Sequence, residues 1–180
     1  SHKFHGPKGV GFLYVRKDTR MKPMILGGSQ EYNMRAGTEN VPGIVGMTTA
    51  AGISCRNINK TMKYLTEIRN YMIDKLKRKI PEIIINGSVD SRLPNNINFS
   101  LKNVDAQSVL VLMDMRGICA SAGSACNTMN MEPSHVMKAI GISSEYVNGT
   151  IRLSMDETFN MRKADYVINV ISQIVRDLKE

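Results

Sequence analysis

From Pro42 to about Arg78 the apolar residues Ile44, Val45, Met47, Ile53, Ile58, Met62, Leu65, Ile68, Met72, Ile73 and Leu76 recur every three or four positions, the spacing of one helix face. The run predicts a single long helix, with a break expected near Asn57 to Asn59. Pro81 stops it, and the basic cluster Lys75 to Lys79 suits the negative end of its macrodipole. This helix separates two stretches of different texture.

Before it, SHKFHGPKGVGFLYV reads as a Gly/Pro turn feeding a short apolar strand, Val10 to Val15. Residues 16 to 40 are basic and then glycine-rich, with no sustained periodicity. They predict a long loop, and long loops in compact chains are usually functional. After Pro81 the elements are short: strand Ile83 to Asn86, turn Gly87 to Asp90, and strand Asn96 to Leu101 with alternating Ile97, Phe99 and Leu101. A helix is expected over Ala106 to Met115 with Asp105 as N-cap, then a strand at Ile118 to Ala120 and a small-residue loop from Ser121 to about Pro133. Helix Ser134 to Ile140 ends at Gly141, strand Thr150 to Met155 follows, and an amphipathic helix from about Arg162 to Leu178 closes the chain. Alternating strands and helices give an α/β fold. The expected organisation is the end of one domain over 1–40, a connecting helix over 41–80, and a compact α/β domain over 81–180.

The 180 residues are 42% hydrophobic, which excludes a disordered chain. The net charge is +8, but the basic residues are dispersed, aromatics are 6% and Trp is absent. A nucleic-acid-binding surface is therefore not expected. No apolar run approaches the roughly 20 residues of a membrane span, and no signal peptide opens the sequence. Cys55, Cys119 and Cys126 are odd in number and show no CxxC spacing. Neither a disulfide framework nor a structural zinc site follows, and a reducing, cytoplasmic compartment is expected. Because the chain opens on Ser-His-Lys without Met, a fragment is expected.

Four places carry potential chemistry. Lys3, beside His2 at the strand entrance, is an imine former if burial or a nearby charge strips its proton, and otherwise an ordinary surface lysine. Cys126 lies in Ser121-Ala-Gly-Ser-Ala-Cys126-Asn-Thr, small and polar surroundings that suit either a reactive thiolate or an inert loop thiol. Cys55 and Cys119 have apolar neighbours and read as structural. Arg152, in an otherwise apolar strand, either faces solvent or clamps a carboxylate with its planar fork. The stretch Gly27-Gly28-Ser29-Gln30 with Arg35-Ala-Gly-Thr38 is either a phosphate cradle or a plain loop, and it matches no P-loop. His5 and His135 lack metal-ligand spacing.

Taken in order, HKFHGPKGVGFLYV, GGSQEYNMRAGTENVPGIVGM, ASAGSACNTMNMEPSHVMKAIG and GTIRLSM resemble the carboxy-terminal half of a cysteine desulfurase of the NifS/IscS type. The resemblance implies the PLP-dependent transferase fold type I, here as the end of its large domain plus the small carboxy-terminal domain. It implies that Lys3 holds pyridoxal phosphate, with His2 near the phosphate. Thr38 would reach the phosphate bound in the partner subunit of a homodimer. Cys126 becomes the nucleophile that carries a persulfide, and Arg152 holds the substrate carboxylate. The substrate is L-cysteine, the product L-alanine, and the sulfur acceptor an iron–sulfur scaffold or a sulfur-relay protein. Cys126 would share a cluster only transiently, so no permanent metal is implied. The long loop around Cys126 argues against a selenocysteine lyase or cysteine sulfinate desulfinase. Retention of Lys3, Cys126 and Arg152 together argues against a non-catalytic docking remnant. The family's ring-stacking histidine and ring-nitrogen aspartate have no match here, so the isolated 180 residues are expected to be inactive or very weakly active.

Overall fold

The computed structural model describes residues 1 to 122 and 135 to 179. Its element order is α1 (Val41–Lys79), β1 (Ile84–Ile85), β2 (Asn96–Ser100), α2 (Ala106–Asp114), β3 (Ser121–Ala122), α3 (His135–Ala139), α4 (Ser144–Val147), β4 (Thr150–Ser154) and α5 (Met161–Asp177). Two compact units divide the chain, Ser1–Ile58 and Asn59–Glu180, and α1 contributes its first half to one and its second half to the other.

α1 starts where Asn40 accepts the Gly43 N–H at 3.1 Å on its side-chain oxygen, satisfying one of the donors a helix start leaves open. Pro42 costs nothing there, since no first-turn N–H has an intrahelical partner. The expected break at Asn57 to Asn59 does not occur, and the helix is continuous over 39 residues. Asn is only slightly worse than Ala in a helix, and the Asn57 amide bonds back to the Ile53 carbonyl at 3.4 Å instead of competing for the backbone.

In residues 1–58 the expected strand at Val10 to Val15 is absent. A strand needs a hydrogen-bonded neighbour and one buried face. Here Phe12, Leu13 and Tyr14 are all more than 70% exposed on successive positions, so neither face is covered. Among apolar side chains only Ala36 and Met47 are buried in this unit. Gly46 lets α1 approach Pro7 closely, because a Cβ there would lie 2.7 Å from the Pro7 ring.

Residues 59–179 hold the core. The sheet runs in the order β1-β2-β4-β3, and every pairing is antiparallel. Alternation aims Ile97 and Phe99 of β2 and Ile151 and Leu153 of β4 at one side. There they join Leu65, Ile68, Met72 and Leu76 of α1, Val109 and Met113 of α2, and Ile168, Ile171 and Ile174 of α5 in one cluster. Each fully buried Ile, Leu or Phe contributes about 1.5–3 kcal/mol. α2 is capped as expected, with the Asp105 carboxylate accepting the Ser108 N–H at 2.9 Å. α5 has an unanticipated cap, Asn160, which accepts the Lys163 N–H at 3.0 Å.

The strand expected at Ile118 to Ala120 is displaced to Ser121–Ala122. Gly117 turns left-handed (φ 71°), its N–H bonds the Asp114 carbonyl at 2.8 Å, and the Ile118 N–H bonds the Met113 carbonyl at 3.0 Å. Ile118 therefore closes α2 as a Schellman cap, and pairing begins only beyond it. The short helix α4 was not expected. Gly149 follows it and passes close to β2's end, where an added Cβ would sit 2.2 Å from the Leu101 carbonyl oxygen.

Candidate functional site

The second face of the sheet carries a polar row, one side chain per strand. Register sets Asn98 of β2 opposite Arg152 of β4 and Ser121 of β3 opposite the same Arg152. Asn86 extends the row beyond β1, its N–H bonding the Asn98 carbonyl at 2.9 Å. The Asn86 side-chain amide, itself buried, donates to Asn98 Oδ1 at 2.7 Å and to Ser100 Oγ at 2.9 Å. Ser100 and Thr150, the next pair along, share a buried hydroxyl contact of 2.8 Å. Alternation produces this row directly: the residues between the core positions Ile97, Phe99, Ile151 and Leu153 must point the other way.

Arg152 is the charged member and is half-buried. Its Nη2 donates to Ser121 Oγ at 3.1 Å, while its Nε is buried without a partner among the described residues. A buried N–H left open costs free energy unless something accepts it. The open face of this guanidinium is chemically suited to an anion such as a carboxylate. Arg152 lies on the polar face and is partly exposed there. Beyond Asn86, Arg92 donates Nη2 to the Asn86 carbonyl, and desolvation, then Arg69, lower the Arg92 pKa.

The other sequence-derived candidates fall elsewhere. His2 and Lys3 lie in a 3₁₀ turn, His2–Phe4, and both are exposed. Thr38 is exposed and follows Gly37, which is held at φ 107°. Its loop is folded on itself: the Gly37 N–H bonds Gln30 Oε1 at 3.1 Å, and the Ala36 N–H bonds the Ile25 carbonyl at 3.3 Å. Glu31, Tyr32 and Asn33 in that loop are all left-handed, at φ 50°, 56° and 63°, a conformation costing non-glycine residues about 1–2 kcal/mol each. Lys3 offers a primary amine for the aldehyde of pyridoxal phosphate and Thr38 a hydroxyl for its phosphate. These two residues fit the ends of that group chemically. Cys126, Glu132, Pro133 and Ser134 lie outside the described residues.

Cys55 and Cys119 are exposed, against the expectation of structural thiols. Cys55 lies on an exposed part of α1, and Cys119 follows the α2 cap, whose buried position is taken by Ile118. Asn98, Asn86 and the partnership of Ser121 with Arg152 escaped single-residue inspection. Their signal was the same alternation that identifies Ile97 and Phe99, read for its polar partners. Among the described residues no cluster of His, Cys, Asp and Glu could hold a metal ion, and no helix is long and apolar enough to cross a membrane.

Residues 1–166 match the family model of aminotransferase class-V. The cysteine desulfurase IscS of Dictyoglomus turgidum is 44% identical over 99% of this chain, which spans 45% of that relative. The cysteine desulfurase IscS of Methanosarcina thermophila is 42% identical over 99% of the chain and 44% of its own length. Among solved structures, a NifS-like protein superposes with a TM-score of 0.86 at 32% identity, covering 97% of this chain and 44% of that one. The NifS-like protein of Rickettsia africae gives 0.75 at 32% identity, over 87% of this chain and 40% of its own. The chain thus spans less than half the length of the relatives it matches.

Proposed function

The chain belongs to the class-V aminotransferase family, and from that premise we propose that it is the carboxy-terminal portion of a cysteine desulfurase, a PLP-dependent enzyme that converts L-cysteine to L-alanine. The observation that carries the reading is whole-chain identity of 44% to a relative named cysteine desulfurase. The half-buried Arg152 with its open Nε–H supports it. Residues 1–40 are read as the end of the cofactor-binding domain, 41–80 as the connecting helix, and 81–180 as the small domain.

Roles follow for this chain's own residues. Pyridoxal phosphate, when bound, supplies an electron sink for the carbon that loses its proton. Lys3 holds the cofactor and moves the proton at the substrate Cα, while His2, and Thr38 from a partner subunit of a homodimer, hold its phosphate. Arg152 grips the substrate carboxylate and fixes which bond faces Lys3. The Cys126 thiolate attacks the substrate sulfur. An S–S bond forms, the Cβ–S bond breaks with its electron pair passing to the carbon side, and that carbon is then protonated. Alanine leaves, and Cys126 carries a persulfide for an iron–sulfur scaffold or sulfur-relay protein in the cytoplasm. The small residues around Cys126 suit a thiol that meets the substrate inside the site and the acceptor outside it.

The test is a chimera in which these 180 residues replace the matching part of the Dictyoglomus turgidum enzyme. A folded chimera is expected to release alanine from L-cysteine, to lose this with Lys3→Ala, and with Cys126→Ala to form no protein persulfide. The 180 residues alone are expected to release little or none. A folded, cofactor-loaded chimera that leaves L-cysteine untouched overturns the reading.

A further inference from the structure

This inference rests on the reading of Arg152 as a carboxylate-binding residue. We propose that Asn98 is a second carboxylate-binding residue, its side-chain amide sharing the α-carboxylate of a small amino acid with Arg152, and that Asn86 positions it. Three observations carry this. Register makes Asn98 and Arg152 direct cross-strand neighbours on one face, where Cβ atoms lie about 5 Å apart. Asn98 Oδ1 is occupied by the Asn86 amide at 2.7 Å, so what Asn98 has left to offer is its NH₂ group, a donor only. On its other side Arg152 is tied to Ser121 through Nη2, which holds the guanidinium while Nε remains buried and, among the described residues, unpaired. An anion reaching that Nε–H therefore meets a guanidinium anchored from β3 and an amide anchored from β1. Asn86 is a positioning residue: among the described residues its side-chain Oδ1 has no partner, and its side-chain NH₂ is committed to Asn98 and Ser100.

The experiment is a propionate titration of the 180-residue chain, following the Arg152 Nε–H signal by NMR, with Arg152→Lys assigning that signal. The wild type is expected to show a saturable shift. Asn98→Ala is expected to weaken propionate about tenfold, the scale of one hydrogen bond to a charged group. Asn98→Asp is expected to abolish binding, because its carboxylate takes the place of the ligand. Asn86→Ser is expected to weaken propionate in the wild type and to have no further effect beside Asn98→Ala, which a purely structural role would not produce. Unchanged Phe99 and Ile151 backbone signals verify that each variant is folded. Wild-type-like affinity in folded Asn98→Ala and Asn98→Asp overturns the Asn98 proposal and leaves the Arg152 reading standing. A wild-type Arg152 signal that does not respond to propionate overturns the Arg152 reading and the proposal with it.

Discussion

Residues 59–179 and residues 1–58 use similar apolar residues to opposite effect. In the larger unit Ile97, Phe99, Met72, Ile151 and Ile171 are fully buried, while in the smaller one Phe12, Leu13, Tyr14, Leu26 and Tyr32 are more than 70% exposed. What separates them is partnership. Phe99 lies on a strand paired on both sides, by β1 and β4, with helices packed over the same face. Phe12 lies on a segment with no ladder. A hydrophobic side chain contributes to stability only where other elements remove it from water.

The comparison is broken most sharply by truncating each region's aromatic. Phe99→Ala is expected to destabilise the unit of 59–179 by about 3–5 kcal/mol, whereas Phe12→Ala changes stability by less than about 0.5 kcal/mol; urea unfolding of the two variants checks both. A Phe12→Ala loss as large as that of Phe99→Ala would show that residues 10–15 are packed in solution. Next in size, Gly149→Ala drives a methyl group into the Leu101 carbonyl and is expected to cost about 1–3 kcal/mol, read by the same unfolding curves. Smaller again, Asp105→Ala removes the α2 cap and is expected to cost about 1 kcal/mol.

Asp105 also has a pH signature. Hydrogen bonds from Ser108 hold its carboxyl below the ordinary value of 3.8. Its contribution is therefore fully present above that value and is lost as pH falls below it through the lowered folded value. Wild type and Asp105→Ala should converge in stability in that acid range and differ at pH 7. The smallest effect sharpens the comparison without any mutation. Amide exchange of residues 10–15 is expected at near-unfolded rates, while 97–101 should exchange only through global opening of their unit.

Much of the larger unit was legible in advance. The period of α1, the alternation of β2 and β4, the Asp105 cap and the stop before Pro81 are all written within a few neighbouring residues. The failures were of another kind. Val10 to Val15 has strand chemistry without a neighbour, and Ile118 was spent on capping α2 before it could pair. Cys55 and Cys119 have apolar neighbours along the chain, yet both are exposed. Lys3 and Arg152 were legible as candidates, while the surroundings that distinguish them, exposure for one and a half-buried row for the other, were not.

The sequence by itself determined the local periods, caps and breakers, and through four ordered motifs the family, because each of these depends on residue identity over short spans. Only the tertiary structure decided the row Asn86, Asn98, Arg152 and Ser121. Those residues are far apart along the chain, and they meet because antiparallel register, set by burying Ile97, Phe99, Ile151 and Leu153, brings their opposite faces into line.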